Sequence, residues 1–122
     1  MKRRKIHMMV AIFIAALLSS GCGSVETYGE RVSSRNITPI KDIVAHPEQY
    51  VGKSVTLEGK IDIECGTGCW FNLKEAPAVI YINLEPSGFA IPQKVGRSAT
   101  VEGTVSAEEG KLTLTGKAVE IR

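Results

Sequence analysis

From Lys53 onward the chain alternates. Val55, Leu57, Ile61 and Ile63 share one parity, while Thr56, Glu58, Lys60, Asp62 and Glu64 take the other. A period of two over this length predicts a long half-buried strand. Gly59 falls on the apolar parity, where a missing side chain permits the bulge or coil by which one strand serves two sheets. Upstream the period differs. Ile40, Ile43 and Val44 recur at i, i+3 and i+4 behind Thr38, a capping residue, with Pro39 at the first helical position. A short helix is predicted there, ending before Pro47.

The strand motif recurs. Val51-Gly52-Lys53-Ser54-Val55-Thr56-Leu57-Glu58-Gly59-Lys60-Ile61 aligns with Val95-Gly96-Arg97-Ser98-Ala99-Thr100-Val101-Glu102-Gly103-Thr104-Val105, six identities in 11 positions at an offset of 44. Two copies are too few for a solenoid, so they predict two similarly bent strands closing one barrel. Trp70 to Lys74, Val79 to Leu84 and Lys111 to Ile121 supply three more strands. The last changes parity at Gly116, with Leu112 and Leu114 inward before it and Val119 and Ile121 inward after it, a bulge signature. The region from Pro86 to Pro92 stands where a helix would otherwise join the third strand to the fourth. These elements predict an all-β fold, a small five-stranded OB-like barrel with a short N-terminal helix, over residues 37–122. A sandwich would need about seven strands. Residues 22–36 show no apolar period and many turn formers, and read as a flexible tether.

Composition changes this picture at one end only. Four of the 15 Lys and Arg residues (Lys2, Arg3, Arg4, Lys5) crowd the start, and no charge follows from Met8 to Gly23. The apolar run Met8 to Leu18 is shorter than the roughly 20 residues of a spanning helix, and Ser19-Ser20-Gly21 leads directly to Cys22. This is the layout of an export signal over residues 1–21. Leu18-Ser19-Ser20-Gly21-Cys22 resembles the bacterial lipobox, with the leucine one place early and Ser19 where it usually stands. The resemblance implies cleavage before Cys22, acylation (palmitate) of its thiol and a membrane anchor. With Gly23 rather than Asp next to Cys22, the rule for Gram-negative lipoproteins implies the outer membrane, facing the periplasm, if the source is Gram-negative.

Without residues 1–21, four basic residues and no acidic ones are lost, so the formal charge moves from +2 to −2. That balance lacks the cationic footprint of nucleic-acid binding, and no nucleic-acid partner is expected. Export places the two remaining cysteines, Cys65 and Cys69, in an oxidising compartment.

Cys65-Gly66-Thr67-Gly68-Cys69-Trp70 joins the first two barrel strands. A three-residue loop with two glycines predicts a hairpin whose cysteines face one another, and parity places both sulfurs at one end of the barrel core. Pro47-Glu48-Gln49-Tyr50-Val51-Gly52, the Cys-x-x-Gly-Cys-Trp element, Phe89-Ala90-Ile91-Pro92 and Val101-Glu102-Gly103 together resemble an uncharacterised family of exported bacterial OB-fold domains. The resemblance spans roughly residues 40 to 105 and implies fold and export, with no activity to carry over.

Three readings of the cysteines stay open: a structural disulfide, a soft-metal site for Cu(I) or Zn(II), and a thiol redox pair. Thiolates are the preferred soft ligands, but His46 is the sole histidine after the signal, at a helix end, and Asp62 and Glu64 point the other way. Dithiol oxidoreductases mostly space the pair by two residues at a helix N-terminus, unlike this loop. Trp70, Asn72 and Lys74 share an outward face with Tyr81 and Asn83, where aromatic and amide groups suit a sugar or a peptide. Alternatively Trp70 packs under the Pro86 to Pro92 loop or the helix. No Ser/His/Asp set, paired inward carboxylates or phosphate loop is found. The chain reads as a non-enzymatic, cofactor-free binding module of the cell envelope, the alternative being a metal-binding or thiol-redox lipoprotein.

Overall fold

The computed structural model describes residues 24–122, so the export signal expected over residues 1–21 and the expected lipidation at Cys22 lie outside the described residues. Its strands are β1 (Glu26–Gly29), β2 (Ser54–Glu64), β3 (Trp70–Glu75), β4 (Ala78–Asn83), β5 (Ser98–Glu108) and β6 (Lys111–Ile121). They form one sheet in the order β1-β6-β4-β3-β2-β5, and a further pairing of β5 with β6 closes β2 to β6 into a barrel. Neighbouring strands are antiparallel except β4 and β6, which run parallel. The expected five strands are all present, and their inward residues fill the barrel: Leu57, Ile61, Phe71, Leu73, Ile80, Ile82, Val101, Leu114, Val119 and Ile121 are buried. A short helix, α1 (Ile40–Ala45), packs on β3 and β4 and adds Ile40 and Ile43 to the core. No helix among the described residues is long and apolar enough to cross a membrane.

The two copies of the repeat pair with each other. Val55 stands opposite Gly103 and Gly59 opposite Ala99, with Leu57 facing Val101 at the centre. Since each residue's counterpart lies 44 positions away, these pairs exchange under a local two-fold through Leu57 and Val101. The turns obey the same symmetry. Gly52 N–H donates to Val105 O at 2.8 Å and Gly96 N–H to Ile61 O at 2.7 Å, while Val105 N–H donates to Lys53 O and Ile61 N–H to Arg97 O, both at 3.0 Å. Each copy's Gly turn thus holds the far end of the other copy's strand. Both glycines sit in the left-handed region, at φ 84° and 89°, which explains why each turn carries Gly.

The sequence reading is corrected at four places. The stretch expected as a tether enters the fold from Glu26. β1 pairs with the outer edge of β6, Glu30 N–H bonds Lys117 O, and Ile37 bridges Thr56 on the free edge of β2. Four strand residues are too few to show a period, and their partners lie far along the chain. The helix begins one residue late, with Pro39 rather than Thr38 at its cap: Pro39 is still extended, at φ −61° and ψ 133°, following Thr38, whose N–H is tied to Thr56 O of β2 at 2.9 Å. The Ile40 N–H finds its acceptor in the Glu75 carboxylate instead. Val44 is exposed rather than inward. Finally, an extra residue in β2 between Ile61 and Glu64 flips the parity, so Ile63 is 54% exposed and the cysteines that follow sit at the barrel's mouth rather than in its core. The bulge expected near Gly116 is present, with Lys117 the extra residue between the Gly116–Gly103 and Ala118–Glu102 pairs.

Candidate functional site

The outward residues of β3 and β4 meet in register: Trp70 opposite Asn83, Asn72 opposite Tyr81, Lys74 opposite Val79. Trp70 and Tyr81 lie diagonally across the pair, ring centroids 5.3 Å apart and planes tilted by 30°, a favourable offset arrangement for aromatic rings. Both are half-buried, flanked by half-buried Asn72 and Asn83. Trp70 therefore belongs to the outer face, in the company the sequence assigns to it. Lys74 does not join this group. It lies at the far end of β3 and lines a separate groove of about 740 Å³ with Glu58, Lys60, Val95 and Arg122.

Residues that sequence reasoning missed complete the face. The parallel pairing of β4 with β6 sets Thr113 beside Tyr81, and Lys111 places its ammonium 3.9 Å above the Tyr81 ring centre, a cation–π contact. The β5–β6 turn, with Glu109 and Gly110 at φ 51° and 77°, is the two-residue kind that Gly after an acidic residue favours. It brings Glu108 and Glu109 over the same surface. Tyr81, Asn83, Glu108, Glu109, Lys111 and Thr113 line an open cavity of about 830 Å³. The Glu109-Gly110 turn was visible in the sequence; its proximity to Tyr81 depends on barrel closure, which no local pattern reports. Burial and the nearby Cys69, Glu85 and Cys65 charges push the Tyr81 phenol up, so its hydroxyl keeps its proton as a donor.

The Cys65 to Cys69 loop forms the end of this face. Both cysteines are thiols, half-buried, their sulfurs 3.1 Å apart. Thr67 Oγ1 stands 3.3 Å from Cys65 Sγ and 3.4 Å from Cys69 Sγ. Hydrogen bonds from Thr67 and from the Cys69 thiol hold the Cys65 thiol down to about 7. The Thr67 hydroxyl also pulls on Cys69, but the proximity of the Cys65 sulfur and burial outweigh it and push that thiol up. Among the described residues no third Cys, His, Asp or Glu joins the pair in a cluster of metal-ligand geometry. His46 ends α1, exposed, its Nδ1 4.0 Å from Glu48.

A second polar cluster went unread in the sequence. Glu102, only 2% exposed, accepts from Ser33 N–H at 3.0 Å, Ser34 N–H at 2.9 Å and the Ser33 hydroxyl at 2.8 Å, with Lys117 Nζ 3.3 Å away. Burial opposes its ionisation, yet these donors hold its carboxyl down to about 2. Beside it Arg35 clasps Glu120 with two bonds of 2.7 and 2.6 Å. These contacts fasten the N-terminal segment across β5 and β6.

No protein-family model matches the chain, and no curated protein matches it by sequence. Its fold is similar to that of the hypothetical protein ygiW from E. coli, with a TM-score of 0.54 and 16% identity over 78% of this chain and 99% of that one. It is also similar to part of the aspartyl tRNA synthetase from Entamoeba histolytica, with a TM-score of 0.55 and 16% identity over 83% of this chain and 27% of the synthetase. The strand order, the parallel β4–β6 pair and these likenesses agree: the chain is an OB-fold barrel extended by one N-terminal strand.

Proposed function

We propose that the chain is a binding module of the cell envelope, anchored by lipid on Cys22, that takes a sugar or a peptide across the outer face of β3 and β4. The observation that carries this is the stacked, half-exposed Trp70–Tyr81 pair with Asn72 and Asn83 at its sides. It lies on the strands, and between the two loops, where OB barrels hold oligomeric ligands. Glu108 and Glu109 on the cavity rim favour a ligand without phosphates, which repel carboxylates. The Gly-rich mouth, the Cys-x-x-Gly-Cys-Trp element and the signal favour an exported protein of the kind the sequence resembles.

Trp70 is the sole tryptophan, so its fluorescence reports on the site directly. Titration of the full chain with chitotetraose and with an extended alanine-rich peptide should give saturable quenching by one of them, lost in Tyr81→Ala. A response to oligothymidylate alone would replace the reading with single-strand nucleic-acid binding, a relevant competitor because one fold neighbour is a tRNA synthetase. Absence of any saturable response would overturn it. The anchor has its own test: Cys22→Ser should move the protein out of the membrane fraction.

A further inference from the structure

We propose that Cys65 and Cys69 form a thiol–disulfide exchange site acting on peptide disulfides, with Cys65 the attacking and Cys69 the resolving sulfur. The starting point is that the loop does not need a disulfide to hold its shape. Gln93 Nε2 donates to Cys65 O at 2.9 Å and to Gly66 O at 3.2 Å, Ile91 N–H to Gly68 O at 3.1 Å, and Leu84 N–H to Cys69 O at 2.9 Å. Within the loop Gly68 N–H bonds Cys65 O at 2.8 Å and Cys65 N–H bonds Trp70 O at 3.0 Å. Gly68 has no room for a side chain, since a Cβ would stand 1.8 Å from Ile91 O. Hydrogen bonds from two other segments, Leu84 and Ile91 to Gln93, thus hold the hairpin in shape with the two sulfurs unbonded. A disulfide across so short a loop also removes little chain entropy. The pair therefore adds little as a staple, and its two half-exposed sulfurs are held ready for chemistry.

The hydrogen bonds give the sulfurs different parts. The Cys69 thiol donates to Cys65 Sγ at 3.1 Å, and Thr67 Oγ1 lies within reach of both. The Cys69 thiol is thus a donor aimed at Cys65, and the single Thr67 hydroxyl proton, shared between the sulfurs, can turn to Cys65 once that sulfur is charged; this supports a thiolate on Cys65 while Cys69 keeps its proton beside it. Going from 3.1 Å to a bond requires a shift of only about 1 Å. In the exchange the Cys65 thiolate attacks one sulfur of the peptide disulfide, whose S–S bond breaks. The departing sulfur leaves as a thiolate and takes up a proton. Cys69 then loses its proton to solvent and attacks Cys65 Sγ, expelling the second peptide sulfur, which is protonated in turn. The Cys65–Cys69 pair gives up two electrons and two protons, and the peptide disulfide gains them. The adjoining Trp70–Tyr81 face would hold the peptide, but the exchange stands on the sulfur geometry and does not depend on the ligand proposed for that face.

The test uses the full chain carrying Cys22→Ser, so that Cys65 and Cys69 are its only thiols, with oxidised glutathione as the probe. The folded chain should interconvert between dithiol and disulfide in mixtures of reduced and oxidised glutathione, read by alkylation and mass. Cys69→Ser should trap a glutathione adduct on Cys65, and Cys65→Ser should form one on Cys69 about ten-fold more slowly. Thr67→Val should slow adduct formation in the Cys69→Ser background while the Trp70 emission and the circular dichroism stay unchanged. Equal rates at the two cysteines would overturn the assignment of roles. A disulfide that excess reductant opens only after unfolding would overturn the proposal in favour of a structural bond. Metal retained stoichiometrically by the purified dithiol would overturn it in favour of a soft-metal site. None of these outcomes touches the fluorescence titration, so this proposal and the ligand reading fail separately.

Discussion

The two copies of the repeat start from nearly the same residues, adopt the same bent strand and exchange the same hydrogen bonds, yet their outward faces meet different surroundings. Glu58 is exposed on the rim of a groove. Its counterpart Glu102 is buried and surrounded by the Ser33 and Ser34 amides, the Ser33 hydroxyl and Lys117. Local sequence thus dictates the strand and its turn, whereas the environment of an outward carboxylate is set by what the rest of the chain lays over it. Here the agent is the N-terminal segment, which runs from the β6 edge over Glu102 to the far edge of β2 at Thr56. An acidic residue on an outward strand position becomes the pin that fastens this strap.

The largest effect should come from the glycine each copy carries in mid-strand. A Cβ on Gly103 would stand 2.2 Å from Thr115 O and 2.9 Å from the Cα of Gly116, both backbone, where β5 crosses the β6 bulge. On Gly59 it would stand 2.6 Å from Lys74 O. Overpacking in cores costs about 1–3 kcal/mol where side chains can yield, and here the obstacle is main chain. Gly103→Val should therefore exceed that range or prevent folding, and Gly59→Val should fall at its upper end. Equilibrium urea denaturation orders the two. A neutral Gly103→Val would mean that the copies are less tightly pinned than their hydrogen bonds imply.

Next in size is the pin itself. Glu102→Ala leaves the part-buried Ser33 and Ser34 N–H groups and the Ser33 hydroxyl without their acceptor, at about 1–3 kcal/mol; proteolysis of the N-terminal segment, followed by mass spectrometry, should show residues 26–36 cleaved first. The pH dependence follows from the direction of the shift. The folded state holds the Glu102 carboxyl down to about 2 from an ordinary 4.5, so its contribution is complete above the ordinary value and is lost as pH falls from about 4.5 toward 2. Glu120, held down by Arg35, adds to the same acid limb. Stability measured across this window should drop steeply in the parent chain and less steeply in Glu102→Gln. An unchanged acid limb in that variant would remove Glu102 as its source.

How much of this was legible follows from the same contrast. Periodicity found every barrel strand, the repeat, the Gly116 bulge and the shared face of Trp70, Asn72, Tyr81 and Asn83, because each depends on residues a few positions apart. It could not find contacts made only by barrel closure: Ser33 on Glu102, Arg35 on Glu120, Lys111 over Tyr81, Glu75 capping α1. Their partners lie far apart in sequence, except in the hairpin-and-parallel geometry around Tyr81, where the intervening strand order decides. The parity rule itself failed at Ile63, since one extra residue reverses the face of everything after it until the next bulge or turn. Thr56, Thr100, Glu102 and Glu120 occupy outward positions and are buried all the same. The alternation assigns a face, and only the tertiary fold decides whether that face is wet.

The smallest effects sharpen the comparison most finely, because they separate the two carboxylates that flank Thr100. Glu58 and Glu120 stand on either side of it in register, Glu58 in β2 and Glu120 in β6. Arg35, 59% exposed at its side chain, clasps only Glu120, whose side chain is 10% exposed. Removing the guanidinium leaves a mostly buried carboxylate without its counter-charge, so Arg35→Ala should destabilise measurably, by more than the loss of a typical surface pair and less than that of a fully buried one. Glu58→Ala removes an exposed side chain and should stay within about 0.5 kcal/mol of the parent. In a double-mutant cycle Arg35 and Glu120 should couple by most of the Arg35→Ala cost, while Arg35 and Glu58 should be additive within measurement error. A Glu58 coupling as large as that of Glu120 would show the strap gripping both copies of the repeat alike, and the asymmetry drawn between them would disappear.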